Sequence, residues 1–171
     1  MAPKSALPTV YYVLFGVYEP MLSLVSMVGA FIDPKTAHDS QASWPKGAPP
    51  ADPLPLATLL TILQLANVCG ILGFVNIFVL SAARKHLSAY PVLQEKVVGS
   101  LLTALLIGDI SHIGVTFWGL GERRWSPLEW GQMTWCVIGS GLSLLIPRFC
   151  WWMGVGRFVR ERDEPHPEKR Q

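Results

Sequence analysis

Four long apolar segments constrain the fold of this chain more than any other feature. A helix of about 20 apolar residues crosses a hydrocarbon core about 30 Å thick, and four segments reach that length: Leu7 to Ile32, Leu56 to Ala82, Val97 to Leu120, and Trp130 to Gly154. Because lipid offers no partner to backbone polar groups, each segment is predicted to be a helix. The sequence therefore predicts an all-α fold, a four-helix transmembrane bundle over residues 1–156 followed by a charged tail over residues 157–171.

Basic residues in the flanks predict the orientation of the four spans. One side of the predicted bundle would carry nine Lys and Arg: Lys4, Arg84, Lys85, Lys96, Arg157, Arg160, Arg162, Lys169 and Arg170. The other side would carry four, which are Lys35, Lys46, Arg123 and Arg124. Since Lys and Arg are enriched in cytoplasmic flanks, we expect both termini in the cytosol. We expect the membrane to be that of the endoplasmic reticulum.

Composition and motifs exclude several other functions. The net charge is only +2 and the 14 Lys and Arg are scattered along the chain, so the basic patch typical of nucleic-acid binding is missing. Cys69, Cys136 and Cys150 lie in apolar segments without the spacing of zinc ligands. Asp109 and His112 alone are too few ligands for a metal site. The sequence therefore predicts no metal, no cofactor and no nucleic-acid partner.

Every predicted span contains a polar or ionisable residue, although such a residue is costly in lipid. A charged side chain at the centre of a bilayer costs at least about 2.5 to 3.5 kcal/mol on insertion scales. Such residues mark functional sites or interhelical contacts. They are Glu19 in the first span, Gln64 and Asn67 in the second, Asp109 and His112 in the third, and Arg148 in the fourth.

Helical spacing groups several of these residues on shared faces. Asp109 and His112 are three residues apart, as are Gln64 and Asn67, so each pair shares a helix face. Thr116 extends the face of Asp109 and His112 by one turn. We expect the two polar faces to meet in a tight bundle, in which small residues allow close approach. These are Ser23, Ser26, Gly29, Gly70, Gly73, Gly108, Gly114, Gly139, Ser140 and Gly141.

Two prolines next to charged residues predict bends in the first and last spans. Glu19 precedes Pro20, and Pro147 precedes Arg148. A proline inside a helix removes one backbone hydrogen bond and can kink the span. The sequence leaves open whether Glu19 and Arg148 meet, because Arg148 lies nearer the predicted cytosolic end.

Three interpretations of the polar cluster follow. The first is structural, since interhelical hydrogen bonds contribute about 0.6 kcal/mol each. The second is general acid/base chemistry by Asp109, His112 and Glu19 on a lipophilic terpenoid, sterol-like or polyketide metabolite. There Gln64, Asn67, Thr116 and Trp118 would bind the substrate, and Trp118 and Phe117 would stabilise a cation. The third is a proton or small-ligand pathway.

We favour an isomerase or cyclase that meets its substrate in the bilayer. The alternative is a non-enzymatic membrane protein with a role in lipid binding, assembly or transport. The partners we expect are therefore the lipid bilayer and a lipophilic small molecule, and the oligomeric state stays open.

The chain resembles a fungal family of small integral membrane proteins that is catalogued as a domain of unknown function. Four segments, in this order and spacing, carry the resemblance. These segments are "LPTVYYVLFGVYEP", "QLANVCGILGFVNIFVL", "LLIGDISHIGVTFWGLG" and "WSPLEWGQMTWCVIGSGLSLLIP", and the resemblance runs from about residue 6 to residue 155. Its shared elements include Tyr18, Glu19 and Pro20, and the Asp109 and His112 pair. The first loop is longer and richer in proline here. The resemblance implies a four-helix membrane protein of fungal type and no established activity.

Overall fold

The computed structural model describes residues 5–41, 43–44, 49 and 52–163, and these are helical apart from their connections. Four helices are long and apolar enough to cross a membrane, which confirms the predicted fold class. They are α1 (Thr9–Ile32), α3 (Leu56–His86), α4 (Pro91–Leu120) and α5 (Gln132–Trp152). Two short helices, α2 (Pro34–Asp39) and α6 (Arg160–Asp163), complete the fold with two 3-10 turns between α4 and α5.

The third span begins at Pro91, earlier than the predicted Val97. Proline is well suited to the first turn of a helix, where a missing N–H leaves nothing unpaired. Gln94 fixes this turn because its Oε1 accepts hydrogen bonds from Ser5 Oγ and the backbone N–H of Ala6, while its Nε2 donates to the carbonyl of Ala83. Hydropathy missed this turn, since it contains Gln94 and the charged Glu95 and Lys96.

The first span contains a π-helical segment directly before Glu19. Residues Leu14–Tyr18 are π-helical, and the regular α-helix resumes at Glu19 with Pro20 in its first turn. Pro20 has no N–H to donate to the preceding turn, and π-helical turns are one way in which a helix accommodates such a break. The bend predicted at Pro20 therefore takes the form of a wider turn.

The spans pack as two close pairs, α1 against α3 and α4 against α5. A Cβ at Gly73 would lie 3.2 Å from Ser23 Cβ, and a Cβ at Gly70 would lie 2.1 Å from Met27 Sδ. In the second pair, a Cβ at Gly141 would lie 3.2 Å from Ile113 Cγ1. Small residues thus permit close approach, as predicted. The prediction is wrong for four others, which have no such neighbour within 4 Å: Gly29, Gly108, Gly114 and Gly139.

All four spans meet in one buried core at the end of the bundle nearer the two termini. Its members are Leu7, Tyr11, Phe15, Leu80, Ala83, Val98, Leu102 and Trp151. Residues 157–163 pack onto this end, where Arg157 Nη1 lies 2.6 Å from Glu95 Oε1 and Phe158 N–H donates to the carbonyl of Ser5. The first part of the predicted charged tail is therefore bound to the bundle, and residues 164–171 lie outside the described part.

Towards the opposite end, α3 and α4 separate. On α3, Asn76 and Ala83 are buried, whereas Leu65 and Leu72 on the same helix face are 64% and 47% exposed. On α4, one face changes from buried Val98 and Leu102 through partly buried Leu105 and Asp109 to exposed His112. We call the opening between these two faces the α3/α4 cleft. Asp109 lies on the α4 face of this cleft, with its side chain 15% exposed.

Candidate functional site

A buried arginine joins three of the four spans. Arg148 of α5 is 0% exposed, and its Nη2 lies 2.5 Å from Glu19 Oε2 on α1. Its Nη1 donates to Asp109 Oδ2 on α4. The guanidinium carbon lies 5.1 Å from the centroid of the Phe15 ring, within cation–π range. The sequence left open whether Glu19 and Arg148 meet, and the structure brings them together with Asp109. We call these three residues the charged triad.

Each member of the charged triad is positioned by its own helix. Glu19 is the first residue after the π-helical segment of α1 and is buried. Arg148 follows Pro147 inside α5 and is directed into the bundle. Asp109 lies on the α4 face that opens into the α3/α4 cleft, and its side chain is 15% exposed. Asp109 is therefore the most exposed member of the charged triad.

The fourth residue of the site, Asn76 of α3, was missed in the sequence analysis. Asn76 is 1% exposed, and its side chain lies close enough to the Glu19 carboxyl to interact with it. Through it the site reaches all four spans. The available signal was a third amide in the apolar run of α3, besides Gln64 and Asn67.

The charged triad contains two carboxyls and one guanidinium. With both carboxyls ionised, its formal charge is −1, and an unbalanced charge in a low-dielectric bundle is strongly unfavourable. The triad is neutral when one carboxyl carries a proton. Such an arrangement can hold and release one proton, which is the basic requirement for acid/base chemistry.

The other predicted residues on α4 differ in their placement. His112 is exposed at the α3/α4 cleft, one turn from Asp109. The Thr116 hydroxyl donates to the carbonyl of His112 at 2.8 Å, so it serves the local helix. Trp118 is 79% exposed, and Phe117 packs against the Trp130 ring at 5.8 Å between centroids. Neither ring lies in the charged triad, where Phe15 is the aromatic neighbour of Arg148.

Gln64 and Asn67 lie apart from Asp109 and His112. They line a groove of about 490 Å³ together with Phe31, Leu60 and Leu63. This groove lies beside α1, on a different face of α3 from Leu65, Leu72 and Asn76. The expected meeting of two polar faces is therefore wrong, because the α3 face turned towards the bundle carries Asn76 instead.

The possible metal ligands in the described part of the chain are His, Cys, Asp and Glu side chains. No group of three or more His, Cys, Asp or Glu side chains that could hold a metal ion occurs among these residues. Cys69, Cys136 and Cys150 are free thiols.

Comparisons with known proteins give a family and no activity. No curated protein and no solved structure matches this chain. The model of one protein family covers residues 4–157, which include all four spans, the charged triad and Asn76. The chain belongs to that family, which is described as a domain of unknown function, DUF7704.

Proposed function

We propose that this chain is a multi-pass membrane enzyme that performs acid/base chemistry at Asp109 on a lipophilic molecule. The observation that carries the proposal is the position of Asp109, which shares Arg148 with Glu19 and also reaches the α3/α4 cleft. A substrate dissolved in the bilayer would approach Asp109 through this cleft. Exposed His112 lies beside Asp109 on the same helix.

The chemistry assigns a role to each residue. Protonated Asp109 donates its proton to an olefin or epoxide of the substrate, which becomes a carbocation. The carboxylate that remains accepts a hydrogen bond from Arg148, and the charge of −1 on the triad is offset by the carbocation that forms beside it. His112 then removes a proton from a neighbouring carbon and completes an isomerisation or cyclisation. Proton transfer from His112 to Asp109 restores the starting state, and no oxidant or reductant is consumed.

The class of substrate follows from the surroundings of the α3/α4 cleft. Leu65 and Leu72 of α3 line one side of the cleft. On the α4 side, Leu105 lies one turn before Asp109. These side chains suit an apolar terpenoid, sterol-like or polyketide molecule, as in fungal biosynthesis. Thr116, on the α4 face of Asp109, would contact such a molecule outside the charged triad. Gln64 and Asn67 lie on a different face of α3 and line the separate groove beside α1.

The proposed location is the membrane of the endoplasmic reticulum, with both termini in the cytosol. The excess of Lys and Arg on the side of the termini supports this orientation. Arg84, Lys85 and His86 form the last turn of α3 at that end.

A structural role for the charged triad is the second candidate, and one observation favours it. Arg148 is completely buried and bonds carboxylates on two other spans. The triad would then hold α1, α4 and α5 together in a protein that binds lipid, assembles with partners or transports a small molecule. Removing either carboxyl would lower the amount of folded protein in proportion to any loss of function.

The test compares folded protein with product in the organism that makes the protein. Asp109→Asn and His112→Gln are expected to leave the amount of folded protein in detergent unchanged. We expect the same variants to abolish one lipophilic product in extracts compared by mass spectrometry. Ile110→Val is the matched control, since Ile110 lies on the same helix between these positions and is exposed.

Two outcomes would overturn the enzyme proposal. One is an equal loss of folded protein and product in the Asp109→Asn variant, which supports the structural role. The other is an unchanged set of products in both variants at normal abundance.

A further inference from the structure

The outer surface of α3 carries an amphipathic stripe that is separate from the charged triad. Six side chains recur at spacings of four and three residues, so they follow one face of the helix. All six are exposed: Leu60, Gln64, Asn67, Ile71, Phe74 and Phe78. We call this set the α3 outer stripe. Its first three residues, Leu60, Gln64 and Asn67, line the groove of about 490 Å³ beside Phe31.

The two amides of the α3 outer stripe have no hydrogen-bond partner among the described residues. They differ from Thr61 on the same helix, whose hydroxyl donates to the carbonyl of Ala57 at 2.9 Å. An amide that faces lipid without a partner is unfavourable. Gln64 and Asn67 thus present donors and acceptors to whatever occupies the groove.

The depth of these amides follows from the pairing of α1 with α3. Met27 lies against Gly70, and Ser23 lies against Gly73. This antiparallel pairing places Asn67 level with Ala30, and Gln64 level with the end of α1 at Asp33. Since α1 ends at Ile32, the two amides are level with its last turn. From there Ile71, Phe74 and Phe78 continue towards the middle of the bilayer.

After Asn67 the α3 outer stripe is apolar and contains two aromatic rings. The rings of Phe74 and Phe78 are stacked, with 6.2 Å between centroids and an interplanar angle of 17°. From Asn67 to Phe78 the stripe extends about 17 Å at 1.5 Å per residue. A ligand with one polar end and a rigid, flat apolar body matches this surface.

The charges near the amides define the polar end of the ligand. The groove is lined by Phe31, Leu60, Leu63, Gln64 and Asn67, with no cationic side chain among them. Asp33, level with Gln64, has a pKa held below its usual value by hydrogen bonds from Thr36, so it is ionised at neutral pH. Anionic headgroups are disfavoured there, whereas a neutral hydroxyl can bond both amides.

We propose that the α3 outer stripe binds a sterol-like lipid, with its hydroxyl on Gln64 and Asn67 and its flat body on Ile71, Phe74 and Phe78. This site is independent of the chemistry proposed at Asp109. It gives the chain a preference for membranes and leaflets that contain such a lipid.

The test uses the full chain in phosphatidylcholine nanodiscs with a photoreactive sterol. We expect cross-links on α3 between Gln64 and Phe78. Unlabelled sterol added before irradiation should reduce this labelling, and phosphatidylserine should not. Gln64→Leu and Asn67→Leu are each expected to lower labelling at least fivefold. Thr61→Val, which removes a hydroxyl that already bonds the carbonyl of Ala57 in its own helix, is the matched control and should label normally.

Melting curves of each variant show whether it is folded, and Asp109→Asn should label as the unchanged chain does. This last result separates the lipid site from the proposed enzyme, since either can fail alone. The proposal is overturned if the label spreads equally over the exposed face of α4, if phosphatidylserine competes as well as sterol, or if the amide variants label normally. Native mass spectrometry that shows a second copy on this face, lost in Asn67→Leu, would also overturn it.

Discussion

Glu19 and Arg148 form a buried ion pair across 129 positions of the sequence, with Glu19 Oε2 2.5 Å from Arg148 Nη2. Glu19 begins the α-helical part of the first span, and Arg148 lies in the last. The pair therefore ties the two ends of the chain together inside the bundle. Since Asp109 shares the same guanidinium, a change at any one of the three residues alters the balance of charge at the other two.

Removal of Arg148 should be the most destabilising single change in the charged triad. Arg148→Leu leaves two carboxyls without their cation, and breaking a buried ion pair typically costs about 3 to 5 kcal/mol. We expect a large fall in the melting temperature in detergent. Adding Glu19→Gln and Asp109→Asn to Arg148→Leu should recover part of that loss, because no uncompensated carboxylate remains. A triple variant less stable than the single one would contradict the charge-balance argument.

Two leucines on α3 test the α3/α4 cleft. Leu80 is fully buried in the shared core, and Leu72 is exposed on the face where α3 and α4 separate. Leu80→Ala should lower the free energy of unfolding by about 2 to 5 kcal/mol. Leu72→Ala should change it by less than about 0.5 kcal/mol. Denaturation of both variants in the same detergent gives the comparison, and equal losses would mean that the cleft is closed.

Glycine at position 73 should be required for the pairing of α1 with α3. A larger side chain there meets Ser23 and the backbone of Pro20, so Gly73→Leu should destabilise the protein by about 1 to 3 kcal/mol. Gly108→Leu is the control, since its Cβ would have no such neighbour within 4 Å. Thermal unfolding of the two variants measures the difference, and a Gly108 variant as unstable as the Gly73 variant would argue against this packing.

Residues 157–163, which pack onto the bundle after α5, should become more mobile only below about pH 4. Hydrogen bonds from the Arg162 side chain and the Val159 N–H lower the pKa of Asp163 from 3.8 to about 2. A lowered folded-state pKa contributes stability that is complete above the unfolded value and is lost as the pH falls towards the folded value. We therefore expect faster hydrogen exchange in residues 157–163 as the pH falls from about 4 to 2, after correction for intrinsic rates.

The Asp163→Asn variant is the control for this pH dependence. It should exchange faster in residues 157–163 at neutral pH and show little further change on acidification. Similar pH profiles for both proteins would assign the loosening to another group.

The fold could be predicted because each span is long and apolar by itself. Hydropathy located all four, and it misplaced the start of α4 because Gln94 is polar in type yet buried through four hydrogen bonds. The candidate site was harder to predict. Glu19, Asp109 and Arg148 were visible as costly residues, but their meeting depends on the relative rotation and depth of three helices, which sequence spacing within one helix does not contain.

The same reason explains the error over Gln64 and Asn67. Both were seen to share a face, but only the docking of α1 on α3 decides which face turns outward. Asn76 has the same side chain as Asn67 and lies on the inward face. Residue type thus identified the candidates, and helix rotation separated those that meet from those that do not.

One face of α4 passes from buried Val98 to exposed His112 along a single helix. The face is therefore packed against the bundle at the end near the termini and exposed towards the other end. On the proposed function, molecules that dissolve in the bilayer would enter the α3/α4 cleft from the leaflet at its open end. A compound delivered to the opposite leaflet would have to flip across the membrane first. For slowly flipping compounds, the side of the membrane on which they are made would decide whether they encounter this protein at all.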